Sequence, residues 1–467
     1  MMKFLGVTVM PEYIQTEGID GVLRNLKRAG ANAVATSPYV MEPADGKTGV
    51  REPPDDAGAG EMRLLDRPLW GRRELFVRTA PSFEPAARLY AGLRYQPPPA
   101  GDLTRREGRI VGDFLRAARE GGFKTYLQVQ AAIPPGYRVQ FGVAVDEDQP
   151  RLPDGRVPAN RVARNGSLAS PHIRAYHNAL LRDLCRAYPG LDGIRVDWPE
   201  YPPYRLDSAF VDFSAPARAA AVRMGVDFDR MREDVGELYR LFHGGLRNGH
   251  LEPWTEPDGG RYRILRTLSG RPGLADFLRF KAVLVEELLT GFRAVLDREA
   301  GRQFELMPNA FPPPFTLASG MDFARVAPSS AAISVKLYTM HWPMILRFWG
   351  DQILLANPGL SDTLLTRALV RWLDIADDDG LPHLMEYSYP PPDVPHPVGA
   401  EAQRRKIRDA QADAGRTPVY PLVHGYGPLD DFRRRLRIGW DASPHGIWIN
   451  RYGYLSDAKL AASGELR

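Results

Sequence analysis

The 467-residue chain contains one cysteine, Cys185, so no disulfide can form within it and the fold must be held by packing. Its nine histidines form no HExxH and no Cys/His ligand spacing, so neither a structural nor a catalytic metal is expected. Val9-Met10-Pro11-Glu12 follows the first strand-like run where a dinucleotide-binding chain would place GxGxxG, and no cofactor is expected. No run reaches the roughly 18 apolar residues of a membrane span. Met1–Gly6 lacks a basic start followed by an apolar stretch, so the expectation is a cytoplasmic chain with no membrane partner. Charge of one sign is also scarce, with 61 Lys and Arg against 57 Asp and Glu. Nucleic-acid binding would need the positive charge gathered on one face. The two basic clusters, Arg404-Arg405-Lys406 and Arg433-Arg434-Arg435, lie in amphipathic helical patterns that also carry acids, and they read as solvated outer faces. Cys185, beside Leu181 and Leu184, reads as a buried packing thiol. Nothing in the sequence fixes an oligomeric state.

What is present is ample apolar material, 44 % of residues, arranged as strand-like runs alternating with helical patterns from end to end. The strand-like runs are Phe4–Met10, Asn32–Thr36, Thr125–Gln130, Gly193–Trp198, Phe304–Pro308, Ile333–Tyr338, Val419–His424 and Gly446–Tyr452. Between them lie helical patterns such as Ile110–Glu120, Pro171–Tyr188, Thr363–Ile375, Glu401–Ala414 and Leu429–Leu436. Strands separated by helices imply right-handed parallel crossovers, and eight such units close into a barrel. The expected fold is therefore α/β, a (β/α)8 TIM barrel with long βα loops and a helical insertion after the fourth strand. One domain over 1–467 is expected, with excursions at about 41–99 and 201–300. The first excursion is too rich in Pro and Gly to be one regular element. A doubly wound open sheet is the alternative, disfavoured by the missing glycine-rich first turn.

Successive strand residues alternate faces, so one set meets the helices and the other fills the barrel. Ile194, Val196 and Trp198 oppose Arg195 and Asp197. Leu306 opposes Glu305, Met307 and Asn309; Val335 and Leu337 oppose Ser334, Lys336 and Tyr338. Val129 opposes Gln128 and Gln130, Val423 opposes His424, and Ile449 opposes Trp448 and Asn450. The polar residues of six strands thus share one side. An inert barrel would fill that space with Val, Ile and Leu, and burying charges together is costly unless they pair or face a wet pocket. A functional cleft at the C-terminal rim is the stronger reading; a buried ion-pair network built on Arg195 is the alternative.

The densest stretch is Asp192-Gly-Ile-Arg-Val-Asp197-Trp-Pro-Glu200-Tyr-Pro-Pro-Tyr204. Glycoside cleavage needs two carboxyl groups across the scissile bond, about 5 Å apart for retention and about 6.5–9.5 Å for inversion. The candidate catalytic residues are Asp197, Glu200 and Glu305. A cation beside Asp197 favours its charged form, which suits a nucleophile, and retention is the expected course. Glu200 in aromatic surroundings would keep a proton, which suits an acid; Glu305 qualifies only near the rim. Candidate substrate-binding residues are Arg195, Gln130, Asn309, Lys336, Tyr338, Trp342, His424 and Asn450. Trp198, Trp342, Trp448, Tyr39, Tyr201 and Tyr204 are placed near strand ends, where rings stack on sugars. Trp198, by its helix-facing parity, reads as structural. Two other readings stand beside hydrolysis: a non-catalytic carbohydrate-binding barrel, and a Schiff-base lyase of the class I aldolase kind using Lys336.

Gly193-Ile-Arg195-Val-Asp197 resembles the fourth-strand motif of the α-amylase superfamily, which implies an Asp197 nucleophile. The wider layout is similar to uncharacterised bacterial glycoside-hydrolase-like barrels, including family-10-like ones. That similarity rests on Asp197-Trp-Pro-Glu200-Tyr, Lys336-Leu-Tyr338-Thr-Met-His341-Trp342, His424-Gly-Tyr-Gly-Pro428 and Asn450-Arg451-Tyr452. The resemblance implies a carbohydrate substrate and hydrolysis of O-glycosyl bonds.

Overall fold

A computed structural model describes residues 3–55, 63–162 and 164–466. The strands in chain order are β1 (Phe4–Thr8), β2 (Ala33–Thr36), β3 (Tyr39–Ala44), β4 (Val50–Glu52), β5 (Leu75–Pro81), β6 (Lys124–Gln130), β7 (Gly193–Asp197), β8 (Glu305–Ala310), β9 (Ile333–Leu337), β10 (Val419–His424) and β11 (Gly446–Asn450). Eight of them close into a parallel barrel in the order β1-β11-β10-β9-β8-β7-β6-β2. These eight are the expected strand runs. Because the first and last barrel strands pair, Leu5 beside Ile447 and Val7 beside Ile449, residues from the two ends of the described chain close the barrel.

The alternating pattern explains how the barrel holds. Ile194, Val196, Leu306, Val335, Leu337, Val423, Ile447 and Ile449 are all buried against the surrounding helices. The opposite set forms a second, interior cluster around Tyr126, Met307, Leu422 and Trp448. Trp448 is the largest side chain there, and Gly6 of β1 makes room for it. A Cβ at Gly6 would lie 2.3–2.5 Å from the indole ring. Helix starts follow local signals: Ser170, Ser214, Asp227 and Ser361 each accept a backbone N–H three residues on, and Pro11 and Pro171 open their helices.

The Pro- and Gly-rich excursion does contain regular structure. β3, β5 and β4 form a small antiparallel sheet, with Tyr39 opposite Pro81 and Val50 opposite Val77. The insertion after β7 is helical, as expected, with helices Ala215–Arg223, Phe228–Arg240, Asn248–Thr255, Arg261–Gly270 and Pro272–Glu299. No described helix is long and apolar enough to cross a membrane.

The basic clusters are only partly solvated, which corrects the expectation. Arg433 is exposed and Arg404 half-exposed, but Lys406 is buried, donating to the Pro313 and Leu373 carbonyls at 3.0 and 2.8 Å. Burial pulls its ammonium down to about 7. Arg435 is buried as well. It pairs with Asp431 at 2.7 Å and donates to the His424 and Tyr426 carbonyls at 2.8 and 2.6 Å, clasping the turn after β10. Helical periodicity placed both on the inner stripe; charge alone suggested the outer face. Cys185 is half-buried on the helix Pro171–Ala187, and burial raises its thiol to about 12.

Candidate active site at the C-terminal rim

Register decides which polar residues meet. Asp197, Gln130 and Asn309 are lateral neighbours on β7, β6 and β8, and His424 neighbours Asn450 across β10 and β11. Gln130, Asp197, His424 and Asn450 are each the last residue of their strand, and Tyr338 directly follows β9. All five line one cavity of about 130 Å³ at the C-terminal mouth of the barrel, where this fold places its active sites. That volume suits a small ligand unit, below the roughly 300–1,000 Å³ of drug-sized sites. Larger grooves, of about 880 and 730 Å³, lie on the outer helical surface away from the convergent strand ends.

Beneath the cavity the barrel is polar. Arg195 is fully buried and donates to Thr8 Oγ1 (3.0 Å), Gln128 Oε1 (3.3 Å), Asn309 Oδ1 (2.8 Å) and Ser334 Oγ (3.3 Å). Its guanidinium lies 3.7 Å from the centre of the Trp448 ring. Burial pulls Arg195 down to about 10, still protonated at neutral pH. Lys336 pairs with Asp197 Oδ1 at 2.9 Å and sits over the rings of Phe311 (4.8 Å) and Trp198 (5.4 Å). Two buried cations therefore stand under one carboxylate, and that carboxylate, with its side chain 14 % exposed, opens into the cavity.

The other predicted carboxyl groups are placed differently. Glu200 is fully buried: Oε1 accepts the Phe311 N–H at 2.7 Å and Oε2 accepts the Ser319 hydroxyl at 2.5 Å. Desolvation pushes its carboxyl up to about 7, and it is not on the cavity wall. Glu305 is at the wrong end. It is the first residue of β8 and neighbours Gly193, while Asn309 neighbours Asp197, so it lies four residues, about 13 Å, below the rim. There it binds Lys124 Nζ and the Tyr126 hydroxyl, both at 2.6 Å. Parity aimed it inward correctly, but position along the strand removes it from the site. Of the described carboxyl groups, Asp197 and the exposed Asp55 line the cavity.

Among the expected binding residues, Arg195, Asn309 and Lys336 do not line the cavity: Arg195 and Asn309 bond each other below it, and Lys336 backs Asp197. Trp342 is not at the site. It is buried in the helix His341–Ala356, its ring 5.1 Å from Lys406 Nζ, because that helix begins immediately after β9 and turns the indole into the outer layer. Trp448 lies in the barrel interior and Tyr201 binds Asp212 at 3.0 Å; neither lines the cavity. Trp198, by contrast, does line it. Its left-handed backbone (φ 50°) breaks strand alternation at the strand end, so parity misassigned it.

Residues the sequence reading missed come from the loops: Met10, Ser37, Tyr137, Arg138, Gln140 and Val162, with Arg63 and His341. Tyr204 hydrogen-bonds His341 Nδ1 at 3.2 Å, and Tyr338 packs edge-on to both His341 and His424. The Asn450 amide donates to the Tyr338 hydroxyl at 2.7 Å. Gln130 Oε1 and the Tyr137 hydroxyl are buried without a hydrogen-bond partner among the described residues. The one available signal for the loop set was its density of Arg, Gln and Tyr after strands β6 and β11.

The parallel eight-stranded barrel, with a polar, aromatic-walled cavity on its C-terminal rim, defines the chain as a (β/α)8 barrel. Structural comparison places the fold beside the catalytic domain of β-amylase from Paenibacillus polymyxa, with TM-score 0.50 and 11 % identity over 98 % of this chain and 95 % of that one. A β-galactosidase from Marinomonas ef1 (TM-score 0.47, 14 % identity) and an Ostrinia furnacalis chitinase (TM-score 0.35, 11 % identity) are more distant in shape. The alignments cover 96 % and 91 % of this chain, but it spans only 54 % of the β-galactosidase and 66 % of the chitinase. No protein-family model and no curated protein matches the sequence.

Proposed function

We propose that the chain is a glycoside hydrolase that binds one sugar unit in the rim cavity and uses Asp197 as its working carboxylate. The observation that carries this is the placement of Asp197: a carboxylate at a strand end, ion-paired to Lys336 at 2.9 Å, open to a cavity shared with Trp198, Tyr204 and Tyr338. Such rings stack on the apolar faces of sugars, and a fixed carboxylate beneath them meets the positive charge that develops at the anomeric carbon. The fold shared with β-amylase is consistent with that chemistry.

Asp197 serves as nucleophile or charge stabiliser in this reading, and Lys336 holds its orientation. Glu200, engaged through both oxygens, supports the wall behind the site. Asp55 is the other carboxyl among the described residues that line the cavity. A non-catalytic carbohydrate-binding barrel is the second reading. It is favoured by the sealing of Glu200 and the displacement of Glu305, which leave no buried partner carboxylate facing Asp197 across the cavity among the described residues. A Schiff base at Lys336 would require breaking its ion pair with Asp197 first.

Asp197→Asn separates the readings. Hydrolysis of a panel of aryl glycosides should fall by at least about a thousand-fold (roughly 4 kcal/mol of barrier) with sugar binding retained. Wild-type protein that binds sugars but cleaves none of the panel or of natural oligosaccharides would leave the binding barrel as the correct account. Borohydride trapping that labels Lys336 would replace both with the lyase.

A further inference from the structure

The cavity wall carries more than sugar-stacking rings. Arg138, from the loop after β6, and Arg451, directly after β11, both line it while remaining more than nine-tenths buried. They are held side by side by one carboxylate. Glu52 of β4 accepts from Arg138 NH2 at 3.0 Å and Arg451 NH2 at 2.8 Å, and it lies 2.7 Å from Arg138 NH1. Glu12, after β1, accepts from Arg138 NH1 at 3.2 Å and takes the Tyr39 hydroxyl on its other oxygen at 3.0 Å. Both glutamates are fully buried and neither lines the cavity, whereas both arginines do. Arg451 Nε and NH1 make no hydrogen bond to the described residues, yet neither atom is sealed from solvent.

This arrangement is expensive unless a ligand uses it. Two buried Arg–Glu pairs contribute little net stability, and a well-packed apolar wall of the same volume would serve a neutral ligand. Planar guanidinium forks match carboxylate and sulfate oxygens in a bidentate way. Beneath the cavity, Arg195 has only neutral hydrogen-bond partners among the described residues, and Lys336 is paired with Asp197.

The geometry points to an acidic sugar as the ligand: a sugar unit bearing a carboxylate or a sulfate ester, its anionic group held by Arg451 and Arg138 while Trp198 takes the ring. This rests on the carbohydrate reading of the same cavity and names its substrate class.

Calorimetric titration of the wild-type protein with D-galacturonate, D-galactose 6-sulfate and D-galactose tests it without any variant. At least one acidic sugar should bind about ten-fold or more tightly than galactose, and the preference should shrink as salt is raised. Which acidic sugar binds better identifies the anionic group. Arg451→Gln should erase the preference for the acidic sugar over galactose, and Arg451→Lys should restore part of it; a preference that survives Arg451→Gln counts against the proposal. Galactose binding as tightly as both acidic sugars, or no saturable binding of either, overturns the proposal. Because the readout is binding, it is independent of the hydrolase reading: Asp197→Asn that abolishes turnover but keeps the acidic preference supports both, whereas a neutral-sugar preference with intact turnover removes only this one.

Discussion

Replacing Glu200 by glutamine should make the protein more stable at alkaline pH and leave it almost unchanged in acid. The side chain is sealed, with its two oxygens on the Phe311 N–H and the Ser319 hydroxyl. Glutamine keeps both contacts: its oxygen accepts from Phe311, its amide donates to Ser319 Oγ, and the Ser319 proton turns to the Thr316 carbonyl at 3.4 Å. Burial moves the carboxyl from 4.5 in the ordinary range to about 7 in the fold. Below the lower value both folded and unfolded chains carry the proton, and stability does not depend on this group. Between the two values the unfolded chain releases a proton that the folded one keeps, so wild-type stability falls as pH rises. Above the upper value the loss is complete. At about 1.4 kcal/mol per pH unit, the whole window is worth about 3 kcal/mol. Urea unfolding of both proteins at about pH 5 and about pH 8 measures the difference, which should widen by about 3 kcal/mol in favour of Glu200→Gln. Parallel stability–pH curves for the two would refute the burial argument. A loss of turnover that leaves sugar binding intact would return Glu200 to the chemistry.

Three further outcomes follow from the packing. Gly6→Ala drives a methyl into the Trp448 ring and should cost about 1–3 kcal/mol in thermal or urea unfolding, partly relieved by Trp448→Phe. Arg435→Met leaves the buried Asp431 dependent on the half-exposed Arg434 and frees the His424 and Tyr426 carbonyls; a loss of about 3–5 kcal/mol is expected, measured by urea unfolding. Glu305→Gln, at the far end of the barrel, should leave catalytic rates unchanged. Its half-exposed ion pair with Lys124 is worth only about 0–1 kcal/mol, so unfolding should barely shift; a specific loss of turnover would contradict its placement.

The sequence by itself determined the barrel. Period-two alternation in eight short runs, separated by helical spacing, leaves few ways to bury both strand faces, and closure follows. It also determined that Arg195, Asp197, Asn309, Lys336, His424 and Asn450 point inward, because parity along a strand is a local property. Tertiary structure alone decided height and reach. Glu305 and Asn309 share parity, and their four-residue spacing already raised the question of depth; register against β7 decided which of them stands at the rim. Trp198 escaped its parity through one left-handed residue, and Trp342 was carried outward by the helix that follows β9. The paired arginines were invisible for a different reason: Glu12, Glu52, Arg138 and Arg451 are brought together by loops whose paths depend on the packed barrel, and no periodicity in the chain encodes their meeting.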